Sequence, residues 1–236
     1  MRLGVDVGGT KTDAVVLAPT GEILTWMRRP TGWGADAVVD TIADVARELA
    51  HTVGIEPGEF AAIGVGMPGQ VAEASTTVTH AVNLGIDALD LDATIGARFG
   101  VPVHAENDVK AAALGAAALH GHAGALAYLN LGTGIAAGVV NAGRLWRGAR
   151  GAAVRVIVLS TDVETVVLGG GVSALGDRIL TLVVTELEAS AAASPFLRSL
   201  HLADRVELLP AGSPAGALGA ALIGADTHEQ EAVAHG

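Results

Sequence analysis

The sequence contains no cysteine, which excludes disulfide bonds, thiol catalysis and cysteine-ligated zinc within its 236 residues. Positive charge is also scarce, since 14 lysines and arginines face 25 acidic residues and leave a net charge of −11. A basic surface that follows phosphates is therefore not expected, and nucleic acid is not expected as a partner. No apolar run reaches membrane-spanning length, and Asp6 interrupts the N-terminal stretch before a signal peptide could form. We expect a cytoplasmic protein that binds neither nucleic acid nor a membrane.

Apolar residues and glycine are abundant. Half of the residues are hydrophobic and only 17% are charged, so the chain has ample material for a core and disorder is excluded for most of it. Glycine fills 32 positions, roughly twice its usual share, and the excess is expected in turns and close backbone contacts. The length suits one large domain or two small domains that share a cleft.

Three antiparallel strands are predicted at the start of the chain, between Leu3 and Thr25, because apolar residues alternate there and glycine-containing turns interrupt them. A helix is predicted from Gly34 to Ala50, with Asp36 near its start as the N-cap. The next predicted elements are a buried strand over 61–66, a helix that ends before Gly100, a strand over 101–105 and an alanine-rich helix over 109–120.

The second half of the chain begins with the same order of elements. A strand over 126–131, a break at Gly132-Thr133-Gly134, and strands over 136–140 and 144–146 repeat the pattern around Gly8-Gly9-Thr10. We therefore predict two related domains with facing glycine turns. The remaining predicted elements are a strand over 165–168, a helix over 177–189, a strand over 206–208, a helix over 215–223 and a frayed tail from 226.

The two glycine turns are candidate phosphate sites, because a backbone without Cβ atoms lets N–H groups approach an anion closely. Either turn alone is more often an ordinary hairpin, and their duplication favours phosphate. The glycines from Gly132 to Gly138 do not form a dinucleotide fingerprint, since that motif needs a helix after it and 136–146 has the pattern of a hairpin.

Two carboxylates lie where chemistry is expected. Asp6 ends a buried strand beside the first glycine turn, where it could hold Mg²⁺ directly or through water, or cap the turn. Asp108 lies between a strand and a helix, where it could act as a catalytic carboxylate, as an N-cap, or as both.

Six motifs, in this order, closely resemble the ROK family of sugar kinases and repressors. The motifs are Asp6-Val7-Gly8-Gly9-Thr10-Lys11-Thr12, Gly66-Met67-Pro68-Gly69-Gln70-Val71, Asn83-Leu84-Gly85, Glu106-Asn107-Asp108, Leu131-Gly132-Thr133-Gly134 and Val167-Leu168-Gly169-Gly170-Gly171-Val172. The resemblance runs to about Gly224. It implies an α/β, actin-like (ribonuclease H-like) duplicated fold, with two domains closing on a central cleft.

Residue by residue, the resemblance implies that Asp108 is the general base and that Asn107, Asn83 and Gly69 contact the sugar together with Asp108. It implies that Asp6 binds Mg²⁺. The implied phosphate and nucleotide residues are Gly8, Gly9, Thr10 and Lys11 at the first turn, Gly132, Thr133 and Gly134 at the second, and Gly170 and Gly171 on the nucleoside side. The implied cofactors are ATP and Mg²⁺.

The resemblance thus implies ATP-dependent phosphorylation of a glucose-like hexose by a homodimer. A catalytically inactive sugar-sensing or regulatory protein is the alternative, because the family also contains repressors. The expected N-terminal sugar/phosphate domain covers 1–112, with a helix at about 213–225 returning to it, and the nucleotide-side domain covers 113–212. The sugar epimer and the choice between ATP and polyphosphate as donor stay open.

The sequence departs from the family near 153/154. The family continues there with a Gly-Glu-x-Gly-His segment, a cysteine-rich zinc loop ending in a sugar-binding glutamate, and a helical region. Here Val154–Val158 runs almost directly to the last glycine-rich strand. Either the segment has been lost, or the sequence joins two sides of a stretch that the polypeptide still contains; we favour the second and expect an intact mass above 23.5 kDa. Structural zinc is expected only if that segment exists.

Overall fold

The computed structural model describes residues 1–121, 124–131, 135–146 and 163–223. The chain divides into two compact units, the first combining Met1–Gly115 with the chain from Pro214 onward and the second covering Ala116–Ser213. None of the helices within the described ranges is long and apolar enough to cross a membrane.

The first unit is built on a five-stranded mixed sheet of order β3-β2-β1-β4-β8. The strands are β1 (Arg2–Val7), β2 (Lys11–Leu17), β3 (Ile23–Pro30), β4 (Ala62–Met67) and β8 (Val103–Asn107). The first three pair antiparallel, as predicted, while β4 and β8 run parallel to β1. Nearly every residue of the three central strands is buried, because helices cover this sheet.

Helix α1 (Ala35–Val53) buries its apolar stripe against the core of the first unit. The prediction that Asp36 caps this helix is wrong, because Gly34 occupies the N-cap and Asp36 lies inside the first turn. A carboxylate in that turn still favours the helix through its dipole. A π turn over Asp92–Gly96 leads into the short helix α2 (Ala97–Phe99), and α3 (Asp108–His120) follows β8.

A three-stranded antiparallel sheet between β4 and α2 was not predicted. Its strands are β5 (Gln70–Val71), β6 (Thr77–Ala81) and β7 (Ile86–Asp90). They are too short for a clear alternation, and His80 within β6 has a φ of +57. Gly69 opens this sheet with φ of +119, and a Cβ there would lie 2.6 Å from the carbonyl oxygen of Thr79, so only glycine fits.

Residues 215–223 form helix α6, whose backbone packs against the backbone of the sheet in the first unit. A Cβ on Gly4 of β1 would overlap the carbonyl oxygen of Ala217, and one on Gly64 of β4 would overlap that of Ala220. These glycines therefore allow α6 to lie directly on the sheet.

The second unit repeats the topology of the first, with strand order β11-β10-β9-β12-β13. The strands are β9 (Ala125–Leu131), β10 (Ile135–Asn141), β11 (Arg144–Trp146), β12 (Thr165–Gly169) and β13 (Val206–Leu208). Again the first three are antiparallel and the last two join in parallel. The predicted duplication is therefore confirmed.

Two helices lie between β12 and β13, namely α4 (Asp177–Ala193) and α5 (Pro195–Ser199). The hydroxyl oxygen of Ser194 accepts from the N–H of Leu197 and caps α5. No residue of α4 is buried, whereas α1 in the first unit buries a full apolar stripe.

Candidate active site

A row of charged side chains crosses the first sheet at one register level. From β3 to β8 the paired residues are Arg28, Asp13, Asp6, Gly66 and Glu106. Residues in register on neighbouring strands have side chains on the same face of the sheet. Three carboxylates therefore share one face, with Gly66 between Asp6 and Glu106.

The outer carboxylates of this row have basic partners. Arg28 binds Asp13 with two parallel hydrogen bonds, Nε to Oδ1 at 2.5 Å and Nη2 to Oδ2 at 3.0 Å. The Nζ of Lys110 lies 3.5 Å from Oε1 of the buried Glu106. Asp6 lies at the centre of the row, between these two ion-paired carboxylates.

The environment of Asp6 opposes its ionisation. Burial, together with the negative charges of Asp108 and Asp13, raises its pKa to about 8, while Lys11 acts in the opposite direction. A Cβ on Gly216 would overlap Oδ2 of Asp6, so the first turn of α6 closes over this carboxylate. A cation at this position would favour the ionised form of Asp6.

Gly66 brings Asp108 next to Asp6. A Cβ on Gly66 would lie 3.8 Å from Oδ1 of Asp6, 3.7 Å from Cα of Asp108 and 3.0 Å from Cβ of Ala111. A larger residue on β4 would fill the space between the two carboxylates and push α3 away. Burial raises the pKa of Asp108, opposed by the backbone N–H groups of Val109 and Asp108 and by the side chain of Asn107.

Asn107, and not Asp108, caps helix α3. Its Oδ1 accepts from the backbone N–H of Val109 at 3.1 Å and of Lys110 at 3.4 Å. The interpretation of Asp108 as the N-cap is therefore wrong, because Asp108 is the first residue of the helix.

The predicted sugar residues lie in two places on the first unit. Nδ2 of Asn107 donates to the carbonyl oxygen of Gly69 at 3.1 Å, which joins these two residues. Asn83 is exposed, and a Cβ on Gly9 would lie 3.8 Å from Asn83 Cβ and from its carbonyl oxygen. The fold thus places Asn83 against the first glycine turn.

The first glycine turn is exposed from Gly9 to Lys11. The N–H of Gly8 donates to the carbonyl oxygen of Lys11 at 2.9 Å and closes the turn. Neither Gly8 nor Gly9 has a φ in the left-handed region, and a Cβ on Gly9 would make only ordinary contacts. Glycine at 9 is therefore not required by the conformation or the packing of the backbone.

The predicted residues of the second unit are described only in part. Gly132, Thr133 and Gly134 lie outside the described residues, as do 147–162, where the departure from the family falls. A Cβ on Gly170 would overlap Oδ1 of Asn130, so the end of β12 adjoins the end of β9, which leads into 132–134. Gly171 is exposed with open space around it.

A magnesium site fits Asp6 only with help from a ligand. Across the described ranges, no three His, Cys, Asp or Glu residues gather to hold a metal ion by themselves. Mg²⁺ is usually held by one or two carboxylates together with substrate phosphates and water. Asp6 supplies one such oxygen ligand beside the first glycine turn, while Asp13 is engaged by Arg28.

Three residues that shape this site were not predicted. Asp13 and Arg28 form the ion pair at one end of the row, and Gly216 contacts Asp6. Asp13 is the one charged residue of β2 that is buried, followed by four apolar residues, and this isolated carboxylate could have identified it. No local signal in the sequence links Gly216 to Asp6, because the two are far apart along the chain.

Comparison with known proteins supports one family. The model of the ROK family matches residues 2–156. A glucokinase of Streptomyces coelicolor is 36% identical over 157 residues, which cover 65% of this chain and 47% of that protein. A putative xylose repressor of a Caldicellulosiruptor species is 29% identical over 220 residues, covering 89% of this chain and 54% of that protein. The chain spans about half the length of the curated relatives it matches.

The fold also matches solved structures. A crystal structure of a ROK family glucokinase from Streptomyces griseus, in complex with glucose and AMPPNP, superposes with a TM-score of 0.70 at 22% identity. The match covers 93% of this chain and 97% of that chain. The predicted actin-like α/β fold is therefore confirmed.

Proposed function

We propose, since the chain belongs to the ROK family, that it transfers the terminal phosphoryl group of ATP to a hydroxyl of a glucose-like hexose. The observation that carries this proposal is the convergence of Asp6 and Asp108 across Gly66, beside an exposed glycine turn. A base for the acceptor hydroxyl and a ligand for the cation of the nucleotide are thereby held side by side.

Asp108 acts as the general base in this proposal. Its carboxylate accepts the proton of the sugar hydroxyl as the oxygen attacks the phosphorus atom. Burial raises the pKa of Asp108, which makes its carboxylate a stronger proton acceptor than an exposed aspartate. The cap of α3 is supplied by the preceding residue, Asn107. Asn107, Asn83 and Gly69 hold the sugar.

Phosphoryl transfer requires mainly positioning and neutralisation of charge. Backbone N–H groups of Gly8, Gly9 and Thr10, with the charge of Lys11, hold phosphates at the first turn in this proposal. Gly132, Thr133 and Gly134 form the second phosphate turn, and Gly170 and Gly171 flank the nucleoside. Asp6 would hold Mg²⁺, directly or through water, and the ion when bound neutralises phosphate charge.

The expected division of labour between the domains is part of the proposal. The N-terminal domain, 1–112 with the helix at about 213–225, binds the sugar and phosphates, and 113–212 forms the nucleotide side. We expect a cytoplasmic homodimer that binds no nucleic acid. We also expect that the zinc-loop segment is still part of the polypeptide, in which case it supplies the structural zinc and the acidic sugar ligands.

An inactive sugar-sensing or regulatory protein is the second candidate. The match to a putative xylose repressor favours it, because that match extends over 89% of the chain. The absence of the family's Gly-Glu-x-Gly-His and zinc-loop motifs from the sequence points in the same direction, since the acidic sugar ligands are lost with them.

A coupled assay for ADP with a panel of hexoses tests the proposal, with ATP and polyphosphate compared as donors. We expect turnover with ATP and glucose, and loss of turnover in Asp108→Asn. Calorimetry with the same sugars measures binding without turnover. Sugar binding with no turnover would support the inactive sensor, and the lack of both would contradict both candidates.

A further inference from the structure

Trp33 presents a large aromatic side chain to solvent in the segment between β3 and α1. Its side chain is 71% exposed, compared with 51% for Trp26 on β3. The guanidinium of Arg28 lies 5.9 Å from the ring of Trp26, whereas Trp33 lies against backbone. Aromatic side chains contribute a large apolar area, with a preferred geometry, to the surfaces that they pack against.

Gly85 packs against one face of the indole of Trp33. A Cβ on Gly85 would lie 2.7 Å from Cε2 and 2.8 Å from both Nε1 and Cζ2. Nearly equal distances to three bonded ring atoms place Gly85 over the face of the ring and not at its edge. Only glycine permits this approach, and Gly85 also has a φ of +68. The opposite face of the indole is therefore the one that solvent reaches.

A hydrogen bond also attaches the segment that carries Trp33 to the 82–85 turn. The N–H of Gly34 donates to the carbonyl oxygen of Leu84 at 2.8 Å, and the side chain of Leu84 is completely buried. The indole is thus attached to the 82–85 turn through its ring and through the next residue. An aromatic surface fixed in this way loses little conformational entropy when a ligand packs on it.

The 82–85 turn also carries Asn83, which lies against Gly9. One short turn therefore connects the indole, a residue expected to bind the sugar and the turn expected to bind phosphate. Because the acceptor hydroxyl must approach the transferred phosphoryl group, the sugar has to lie close to this turn. Trp33 is the exposed aromatic side chain that contacts this turn, through Gly85.

We propose that the open face of Trp33 forms a wall of the acceptor-sugar site and packs against the C–H face of a hexopyranose ring. A pyranose with equatorial hydroxyl groups presents C–H groups on its faces, and these suit the negative face of an aromatic ring. Such a wall selects glucose-like sugars over epimers with an axial hydroxyl on the stacked face. The inference rests on the proposed function, because it assumes a sugar bound beside Asn83.

Three variants test the wall by steady-state kinetics with glucose and ATP. Trp33→Ala is expected to raise the KM for glucose roughly tenfold or more, with the KM for ATP changed by less than about twofold. Trp33→Phe keeps an aromatic face and should stay within about threefold of the wild type for glucose. Trp26→Ala removes an exposed tryptophan of the same unit and is expected to leave both constants unchanged.

Tryptophan fluorescence gives a readout that does not need turnover. Adding glucose should change the emission of the wild type and of Trp26→Phe, and this change should be absent in Trp33→Phe. If the wild type shows the fluorescence change but never phosphorylates a hexose, the wall stands and the kinase proposal fails. If the wild type phosphorylates glucose and Trp33→Ala keeps its KM, the kinase proposal stands and the wall is overturned.

Two further outcomes would also overturn the wall. The first is a wild type whose tryptophan emission does not respond to any hexose that it binds by calorimetry. The second is a Trp33→Ala variant that keeps its sugar affinity but changes its oligomeric state in sedimentation, which would make Trp33 a contact between copies. If Trp33→Ala lowers the melting temperature, the KM for glucose is measured instead in the Trp33→Phe and Trp33→Leu variants. Those values then decide whether Trp33 forms a wall of the sugar site.

Discussion

Asn107 joins helix α3 to the loop before the small sheet, because its Nδ2 donates to the carbonyl oxygen of Gly69 while its Oδ1 caps the helix. One amide therefore fixes the start of α3 against the segment at Gly69. Asp108 is the next residue, so the position of its carboxylate depends on both hydrogen bonds.

Asp108→Asn should abolish sugar phosphorylation and leave the fold intact. An amide cannot accept the proton of the hydroxyl, and loss of a general base costs typically 10²- to 10⁴-fold, roughly, in turnover. The cap of α3 is retained, since Asn107 supplies it. Turnover is measured in the coupled assay and folding by thermal unfolding. Asp177→Asn is a matched control, because Asp177 is the first residue of α4 and is exposed. Turnover above about a tenth of the wild type would remove Asp108 from the role of base.

Asn107→Ala should destabilise the protein and weaken sugar binding. Removal of a helix cap costs about 1 kcal/mol, and the hydrogen bond to Gly69 is lost as well. Asn107→Asp is the informative comparison, because a carboxylate still caps α3 but cannot donate to Gly69. Urea unfolding should rank the wild type first, Asn107→Asp second and Asn107→Ala last. Equal stability of the two variants would mean that the bond to Gly69, and not the cap, carries the effect.

The stability of the ligand-free protein should fall as the pH rises from about 4 to about 8. The carboxyl of Asp6 ionises at about 8 in the folded protein and at its ordinary value of 3.8 when unfolded. Between these values the folded state holds a proton that the unfolded chain has released, so the free energy of unfolding decreases with pH. Asp6→Asn removes this ionisation and should be more stable than the wild type at pH 8, but not at pH 4.

Urea unfolding at both pH values, with EDTA present, measures the effect. Asp90→Asn serves as a control of opposite sign, because the N–H of Ala93 and the hydroxyl of Thr76 lower the pKa of Asp90. That variant should lose stability at pH 8. An Asp6→Asn protein with the same pH dependence as the wild type would show that Asp6 ionises normally in the folded state.

Gly9→Val should weaken nucleotide binding far more than sugar binding. A branched side chain on this exposed residue would stand in front of the backbone N–H groups of the turn. Gly9→Ala should fold normally, because its Cβ would make ordinary contacts with Asn83. Calorimetry with each ligand alone separates the two affinities. A matched loss of both ligands in Gly9→Val would indicate general misfolding.

The sequence predicts the two main sheets well, because their strands alternate and a whole set of elements is repeated. It fails where short elements depend on distant partners. The β5–β7 sheet needs the contact between Gly69 and Thr79, and the cap of α3 shifts by one residue because Asn107 has a second partner in Gly69. Both cases arise because a tertiary contact overrides a local preference.

The same reason limits the prediction of the site. The carboxylates Asp6 and Asp108 are evident because Asp6 lies near the end of one buried strand and Asp108 directly follows another. The pairing of Asp13 with Arg28 follows from the register of β2 and β3, which the turn between them does not reveal. The exposed position of Trp33 depends on the unpredicted turn that ends in Gly85.

Gly219→Ala should strongly destabilise the first unit, although the change adds only a methyl group. A Cβ at this position of α6 would overlap the carbonyl oxygen of Ala111 and lie 2.8 Å from the backbone nitrogen of Gly115, both on α3. Backbone atoms cannot rotate away as a side chain can, so the two helices would have to separate. Overpacking of this kind costs about 1–3 kcal/mol, which urea unfolding resolves easily.

Gly171→Ala is the matched control for Gly219→Ala, since open space surrounds Gly171. This substitution should change the free energy of unfolding by less than about 0.5 kcal/mol. Because α6 also closes over Asp6 through Gly216, the Gly219→Ala protein should lose turnover at temperatures where it is still folded. Wild-type stability in Gly219→Ala would contradict the close packing of α6 against α3.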